Sequence, residues 1–227
     1  MWAVLPIKDV SAAKQRLQTI LTPEERESLF RAMLQDVVAA VASARGLDGL
    51  AIVSSDPLGV ALARRQGALL IAEDTNRGQS SAISSAVDAL MAKGVKRILT
   101  IPGDVPLVTP GEIDAVCASL GKEPAMTIVP DRGDTGSNCI AISPPDAIVF
   151  RFGTHSLKAH LQSARERNLT VNIMRLTGLG LDIDSPDDLI SLMDSDADTK
   201  ARSFLRTSGI TDRLRQAGGV AGGADHG

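Results

Sequence analysis

The chain has 227 residues, 44% of them hydrophobic and 22% charged, which is the size and balance of one soluble globular domain with a sizeable core. Only 2% of residues are aromatic and there is no tyrosine, so the stacking platforms that hold single-stranded nucleic acids are missing; nucleic acid is not an expected partner. The net charge of -3 argues against an overall polyanion-binding surface but leaves room for a local basic pocket that takes a small phosphorylated ligand.

The two cysteines, Cys117 and Cys139, lie far apart without zinc-ligand or CxxC spacing, which fits reduced thiols in a cytosol. The opening "MWAVLPIKDV" becomes charged too early for a signal peptide, and no apolar run approaches the ~20 residues that span a bilayer. A cytoplasmic protein that engages no membrane is expected.

In chain order, "WAVLPI" reads as a first strand and residues 23–44 as a helix, followed by strand-like "LAIVSS", "ALLIA" and "RILTIP" with helical stretches between them. That rhythm predicts β-α-β units and a mainly parallel sheet covered by helices on both faces, an α/β three-layer sandwich. Three helix starts share one local chemistry: Thr22-Pro23 with Glu25, Thr109-Pro110 with Glu112, and Ser185-Pro186 with Asp188. Each supplies an N-cap hydroxyl, a proline at the first helical position and an acid two residues later. Further on, "AMTIVPD" and "NCIAISP" flank the turn-rich "RGDTGS", so the later strands should include an antiparallel member. A helix over about residues 156–167 precedes "VNIMRL". Residues 1–195 are expected to form one domain and 196–227 a tail, partly helical and then flexible from Gly218.

Ligands of open α/β sheets bind beyond the carboxyl ends of the strands, so residues just after each strand carry most weight. Lys8, Lys14 and Arg16 follow the first strand and are either a solvated basic loop or a clamp for a triphosphate. In "DTNRGQSSAISSAV", Arg77, Gly78, Ser80 and Ser81 lead into a small-residue helix whose first amides could meet an anion or a base edge. Asp104 in "IPGDVPLV" stands in a rigid turn at a strand end, either an Asx-type turn residue or a carboxylate presented to the crevice. Asp182 and Asp184 in "LGLDIDSPDDL" are either a surface turn before a capped helix or, facing the same way in an extended segment, two acids that repel unless a cation such as one or two magnesium ions joins them. Gly133, Gly136, Ser137 and Asn138 form a second small-residue loop, and Gly153 with Ser156 a third, either of which could cradle a phosphate or carboxylate. His155 and His160 read as structural. With no Ser/His/Asp or Cys/His arrangement evident, the set points to phosphoryl or nucleotidyl transfer.

Taken in order, "PIKDVSAAKQRL", "GQSSAI", "IPGDVPLV", "VPDRGDTGSN", "RFGTHSLKAH" and "LDIDSPDDL" resemble the guanylyltransferases of coenzyme F420 biosynthesis, the CofC/FbiD group, over nearly the whole chain up to about Met193. The resemblance implies a nucleotide-diphospho-sugar transferase-like fold, GTP as donor, a divalent metal, and a phosphorylated three-carbon carboxylate as acceptor: phosphoenolpyruvate, 2-phospho-L-lactate or 3-phospho-D-glycerate. On it, Asp104, Asp182 and Asp184 match metal positions, and Ser137 or Asn138 with Gly153 and Ser156 match acceptor-binding positions. Lys8, Lys14 and Arg16 would face the triphosphate. Two positions depart from the pattern: Gly78-Gln79-Ser80 replaces Gly-Leu-Asn, and Gly136-Ser137-Asn138 replaces Gly-Thr-Asn. The wider superfamily, including molybdopterin guanylyl- and cytidylyltransferases, is the second resemblance, and a non-catalytic nucleotide sensor is an alternative of another class. Small molecules are the expected partners; monomer and homodimer both stay open.

Overall fold

A computed structural model describes residues 1–8, 14–73 and 78–214; Arg77 and the segment from Gly218 onward fall outside these. Among the described residues one sheet holds seven strands: β1 (Trp2–Pro6), β2 (Gly49–Val53), β3 (Leu69–Ile71), β4 (Ile98–Thr100), β5 (Ala125–Pro130), β6 (Ser137–Ser143) and β7 (Thr170–Ile173). Their order is β3-β2-β1-β4-β6-β5-β7. Every pairing is parallel except those of β6, which runs against both β4 and β5. Because β6 is reversed, its first residues, Ser137 and Asn138, emerge at the edge where the parallel strands end.

The central strands β1, β4, β5 and β6 are buried along nearly their whole length, as a sheet covered on both faces requires. Ala3 and Leu5 of β1 point into one core and Val4 into the other, and β6 divides likewise into Cys139 and Ala141 against Ile140 and Ile142. The first core is roofed by α1 (Pro23–Ser43), α2 (Pro57–Gln66) and α4 (Pro110–Ser119), the second by α3 (Gln79–Ala92) and α5 (Ser156–Glu166).

All three expected capping boxes are present, at the starts of α1, α4 and α6 (Pro186–Asp194): in each the N-cap hydroxyl accepts from the third helical N–H while the acid there accepts from the N-cap N–H. Such a cap stabilises a helix by about 1 kcal/mol and fixes where it begins. Glu112 does more, since its other oxygen accepts from the Gly178 N–H at 2.8 Å and so ties the start of α4 to the loop that leads to Asp182.

α1 is apolar along two stripes. Leu34, Val37, Val38 and Val41 face the sheet, whereas Leu29 and Met33 face a third core built with Leu189 and Leu192 of α6 and with Ala201 and Leu205 of α7 (Lys200–Thr207). The segment expected as a tail is thus helical over α7 and buried against α1, with Ile210 and Leu214 completing the same core. Asp36 of α1 accepts from the Lys200 and Ala201 amides at 2.8 and 2.9 Å, placing a carboxylate on the positive end of α7. Leu205 is fully buried in this contact, and Leu205→Ala is expected to cost about 2–5 kcal/mol. Thermal denaturation should register ~2–4 °C per kcal/mol; an unchanged melting temperature would mean that α7 is not part of the cooperative unit.

Candidate active site

The strand order reverses between β1 and β4, whose neighbouring ends open a crevice of the kind in which doubly wound sheets bind ligands. A cleft of about 380 Å³ lies there, with Arg16, Asp104, Ser137, Gly153, Asp182 and Asp184 in its wall. A smaller chamber of about 140 Å³, lined by Lys8, Phe30 and Gly103, shares Gln79, Pro102 and Asp104 with it.

Asp104 follows β4 in a turn pressed onto α1. A Cβ on Gly103 would meet the Leu34 side chain at 2.5 Å, so glycine lets the turn lie this close. The Asp104 carbonyl accepts from the Ile183 N–H at 3.0 Å, which clamps the downstream acidic segment alongside. The outcome is a compact ion cluster. Lys14 Nζ donates to Asp104 Oδ2 at 2.5 Å and to Asp184 Oδ1 at 2.8 Å, and its side chain is only 5% exposed. Arg16 reaches Asp184 at 3.9 Å with its guanidinium largely in solvent. Asp182 instead accepts from Asn138 Nδ2 at 3.1 Å, and the same amide donates to the Leu179 carbonyl at 3.0 Å.

The cation needed to reconcile these acids is therefore, in part, Lys14 itself. That differs from the expectation of a lysine turned toward phosphate: Lys14 is engaged by carboxylates, Lys8 lies in the smaller chamber 4.0 Å from Glu73, and Arg16 alone of the three lines the main cleft. Burial acts to lower the Lys14 pKa, but Asp104 and Asp184 outweigh it and hold the group above its ordinary value. One oxygen of Asp104, Oδ1, is buried without a hydrogen-bond partner. Among the described residues no three His, Cys, Asp or Glu side chains converge as a ready-made metal site.

The small-residue loop lines the same cleft. Asp131 draws it closed by accepting from the Thr135 and Gly136 amides and the Thr135 hydroxyl. Ser137 and Ser156 interlock, the Ser137 N–H donating to Ser156 Oγ at 2.9 Å. Gly153 has φ 116°, a conformation that only glycine adopts readily, and Ser156 opens α5. Gly78 caps α3 with φ 96°, also in glycine's region.

Ser80 and Ser81 do not line either chamber. Ser80 Oγ accepts from the Phe152 N–H at 2.9 Å and so braces the loop that carries Gly153. Gln79, which stands where the family pattern has leucine, enters both chambers as the first residue of α3. Asp131 and Thr135 also line the cleft, and the signal for them in the sequence is an aspartate heading a turn-rich run, which marks a loop clasp. Arg77 lies outside the described residues.

The acids respond oppositely to their surroundings. Burial first, then the Asp104 charge, pushes the Asp182 carboxyl above its ordinary value against the Asn138 hydrogen bond. Its stabilising contribution is complete in acid and is lost as pH rises through that raised value. Asp184 is also pushed up by burial, but Lys14 and then Arg16 overcome this and hold it below its ordinary value. Its contribution is present above ~pH 4 and lost as pH falls through the lowered value. At pH 7 with a chelator present, Asp182→Asn should therefore raise the melting temperature and Asp184→Asn lower it, each by a few degrees, at ~2–4 °C per kcal/mol. Shifts of the same sign would contradict this charge arrangement.

Against known proteins, residues 1–220 match the family described as Guanylyl transferase CofC like. A phosphoenolpyruvate guanylyltransferase of Sphaerobacter thermophilus is 37% identical over 190 residues, covering 84% of this chain and 91% of that protein. A 2-phospho-L-lactate guanylyltransferase of Methanothermobacter thermautotrophicus is 31% identical, covering 90% and 89%. A crystal structure of a putative nucleotide-diphospho-sugar transferase from Desulfovibrio desulfuricans G20 superposes with a TM-score of 0.76 at 17% identity, covering 95% and 96% of the two chains, a likeness of fold. With an α/β sheet of that architecture and a match along nearly its full length, this chain belongs to the CofC-like guanylyl transferase family.

Proposed function

We propose that the protein transfers the guanylyl group of GTP to the phosphate of a phosphorylated three-carbon carboxylate, releasing pyrophosphate, as a cytoplasmic step of coenzyme F420 biosynthesis. The acceptor is phosphoenolpyruvate, 2-phospho-L-lactate or 3-phospho-D-glycerate. The observation that carries this reading is one cleft with two unlike sets of lining residues, the acids Asp104, Asp182 and Asp184 and the small residues Ser137, Gly153 and Ser156.

The acidic wall cannot receive a triphosphate by itself, because like charges repel at this range. It suits a divalent cation that two carboxylates share with phosphate oxygens and water. The residues fit: Asp104 Oδ1 is a buried acceptor without a partner, and Asp182 is close enough to Asp104 to be disfavoured as an anion. Asp104 with Asp182 or Asp184 would hold magnesium, which when bound neutralises phosphate charge and polarises the reacting phosphorus centre. Lys14 and Arg16, beside these acids, would offset the charge that grows on departing pyrophosphate. The acceptor phosphate is anionic at neutral pH and attacks the α-phosphorus in line, so no general base is needed and positioning supplies much of the rate. The amides and hydroxyls of the Ser137 loop and the α5 start would hold the acceptor, while the adjoining chamber lined by Lys8 and Gln79 would give room to the nucleotide.

Pyrophosphate release should be followed with each of the three acceptors against GTP, ATP, CTP and UTP. One acceptor with GTP is expected to dominate. Asp104→Asn should lower turnover by on the order of 100-fold or more, the scale of losing a charge-stabilising group. No release with any pair would defeat the assignment.

A further inference from the structure

His160 lies on α5 outside the cleft wall, fully buried, and its ring is held edge-on by Phe150 and Phe152 at centroid distances of 6.1 and 5.1 Å. Its Nε2 lies 2.9 Å from the Arg151 backbone N–H. A backbone amide can only donate, so Nε2 carries a lone pair, and a neutral imidazole must then hold its hydrogen on Nδ1. Burial pushes the imidazole down to about 4, so the ring is neutral throughout the neutral range.

Nδ1 lies 3.1 Å from Ser137 Oγ, to which it donates. Ser156 Oγ, having accepted the Ser137 N–H, directs its own hydrogen toward Ser137 Oγ at 3.5 Å, a long and weak contact. Both lone pairs of the Ser137 hydroxyl are thus approached by donors. Its hydrogen is the one valence left, and Ser137 stands in the cleft wall. A hydroxyl so arranged can give a hydrogen bond and cannot readily take one.

We infer that His160 is a positioning residue that makes the Ser137 hydroxyl an obligate donor to an anionic oxygen, phosphate or carboxylate, of the acceptor. The inference rests on the acceptor-site reading of this loop but adds a residue behind it, and it names the chemistry that the loop accepts: a hydrogen-bond acceptor rather than an ammonium or another donor.

The test uses the full chain with magnesium and GTP, varying the acceptor. An asparagine amide nitrogen falls near the position of histidine Nδ1, whereas a glutamine amide nitrogen falls near Nε2. His160→Gln and Ser137→Ala should each raise the acceptor KM roughly tenfold or more, as expected for a lost hydrogen bond to a charged group, with the GTP KM within about twofold. His160→Asn should stay within about threefold of the parent, and His160→Gln should add nothing in a Ser137→Ala background. If Ser137→Ala raises the acceptor KM and His160→Gln does not, the role of His160 is overturned while the acceptor site stands. If Ser137→Ala leaves that KM unchanged, both are overturned. Equal losses in His160→Asn and His160→Gln, with no split between the two substrates, would reduce His160 to a packing residue. Nitrogen-15 shifts of His160 in the unaltered protein provide a check independent of any variant: hydrogen on Nδ1 is expected, and hydrogen on Nε2 would overturn the inference.

Discussion

The Lys14 ammonium sits between carboxylates from two distant segments, and much of the site follows from that contact. Taking an acid out of water costs several kcal/mol unless its charge is met. Asp104 and Asp184 are met by the same nitrogen, and the main-chain bond from Ile183 to Asp104 holds the two segments in register. Asp182 has hydrogen bonds but no cation for compensation among the described residues. The cleft is therefore electrostatically uneven: two acids joined through Lys14 stand beside an acid that gains from a further positive charge. This is how a pocket can bind an anion through carboxylates, provided a cation enters with it.

The second wall exists because one strand runs backwards. Were β6 parallel to its neighbours, Ser137 and Asn138 would open at the far edge of the sheet, beneath the helices rather than beside Asp104. Its reversal brings a strand start, with its amides and hydroxyls, to a rim otherwise made of strand ends. Asn138 then spans the two walls, since it belongs to the loop while its side chain holds Asp182. Behind the loop, His160 and the paired phenylalanines supply the fixed background against which small hydroxyls can be oriented.

What could be read in the sequence was local. The three capped helix starts need only neighbouring residues, and each is found at the expected position. The apolar strand runs and the return of Asp104, Asp182 and Asp184 to one crevice also follow from patterns of a few residues combined with the geometry of open sheets. What could not be read depended on distant partners. The carboxylate partners of Lys14 are not legible locally, because they lie 90 and 170 residues away. The helical phase at the first turn of α3, which turns Ser80 toward Phe152 and Gln79 into the cleft, is set by tertiary contacts. The apolar residues of α7 are interleaved with charges, and the second apolar stripe of α1 together with α6 gives them somewhere to go.

Glu112 carries two loads on one carboxylate, the cap of α4 and the anchor of Gly178. Most helix-capping acids tolerate exchange between aspartate, glutamate and glutamine, since each can satisfy an N-terminal amide. Here reach matters as well. Aspartate is one methylene shorter and would have to choose between the two amides, and glutamine would present one oxygen where two are in use. A site otherwise regarded as helix decoration therefore becomes a narrow point for sequence drift, at a distance from the chemistry it supports.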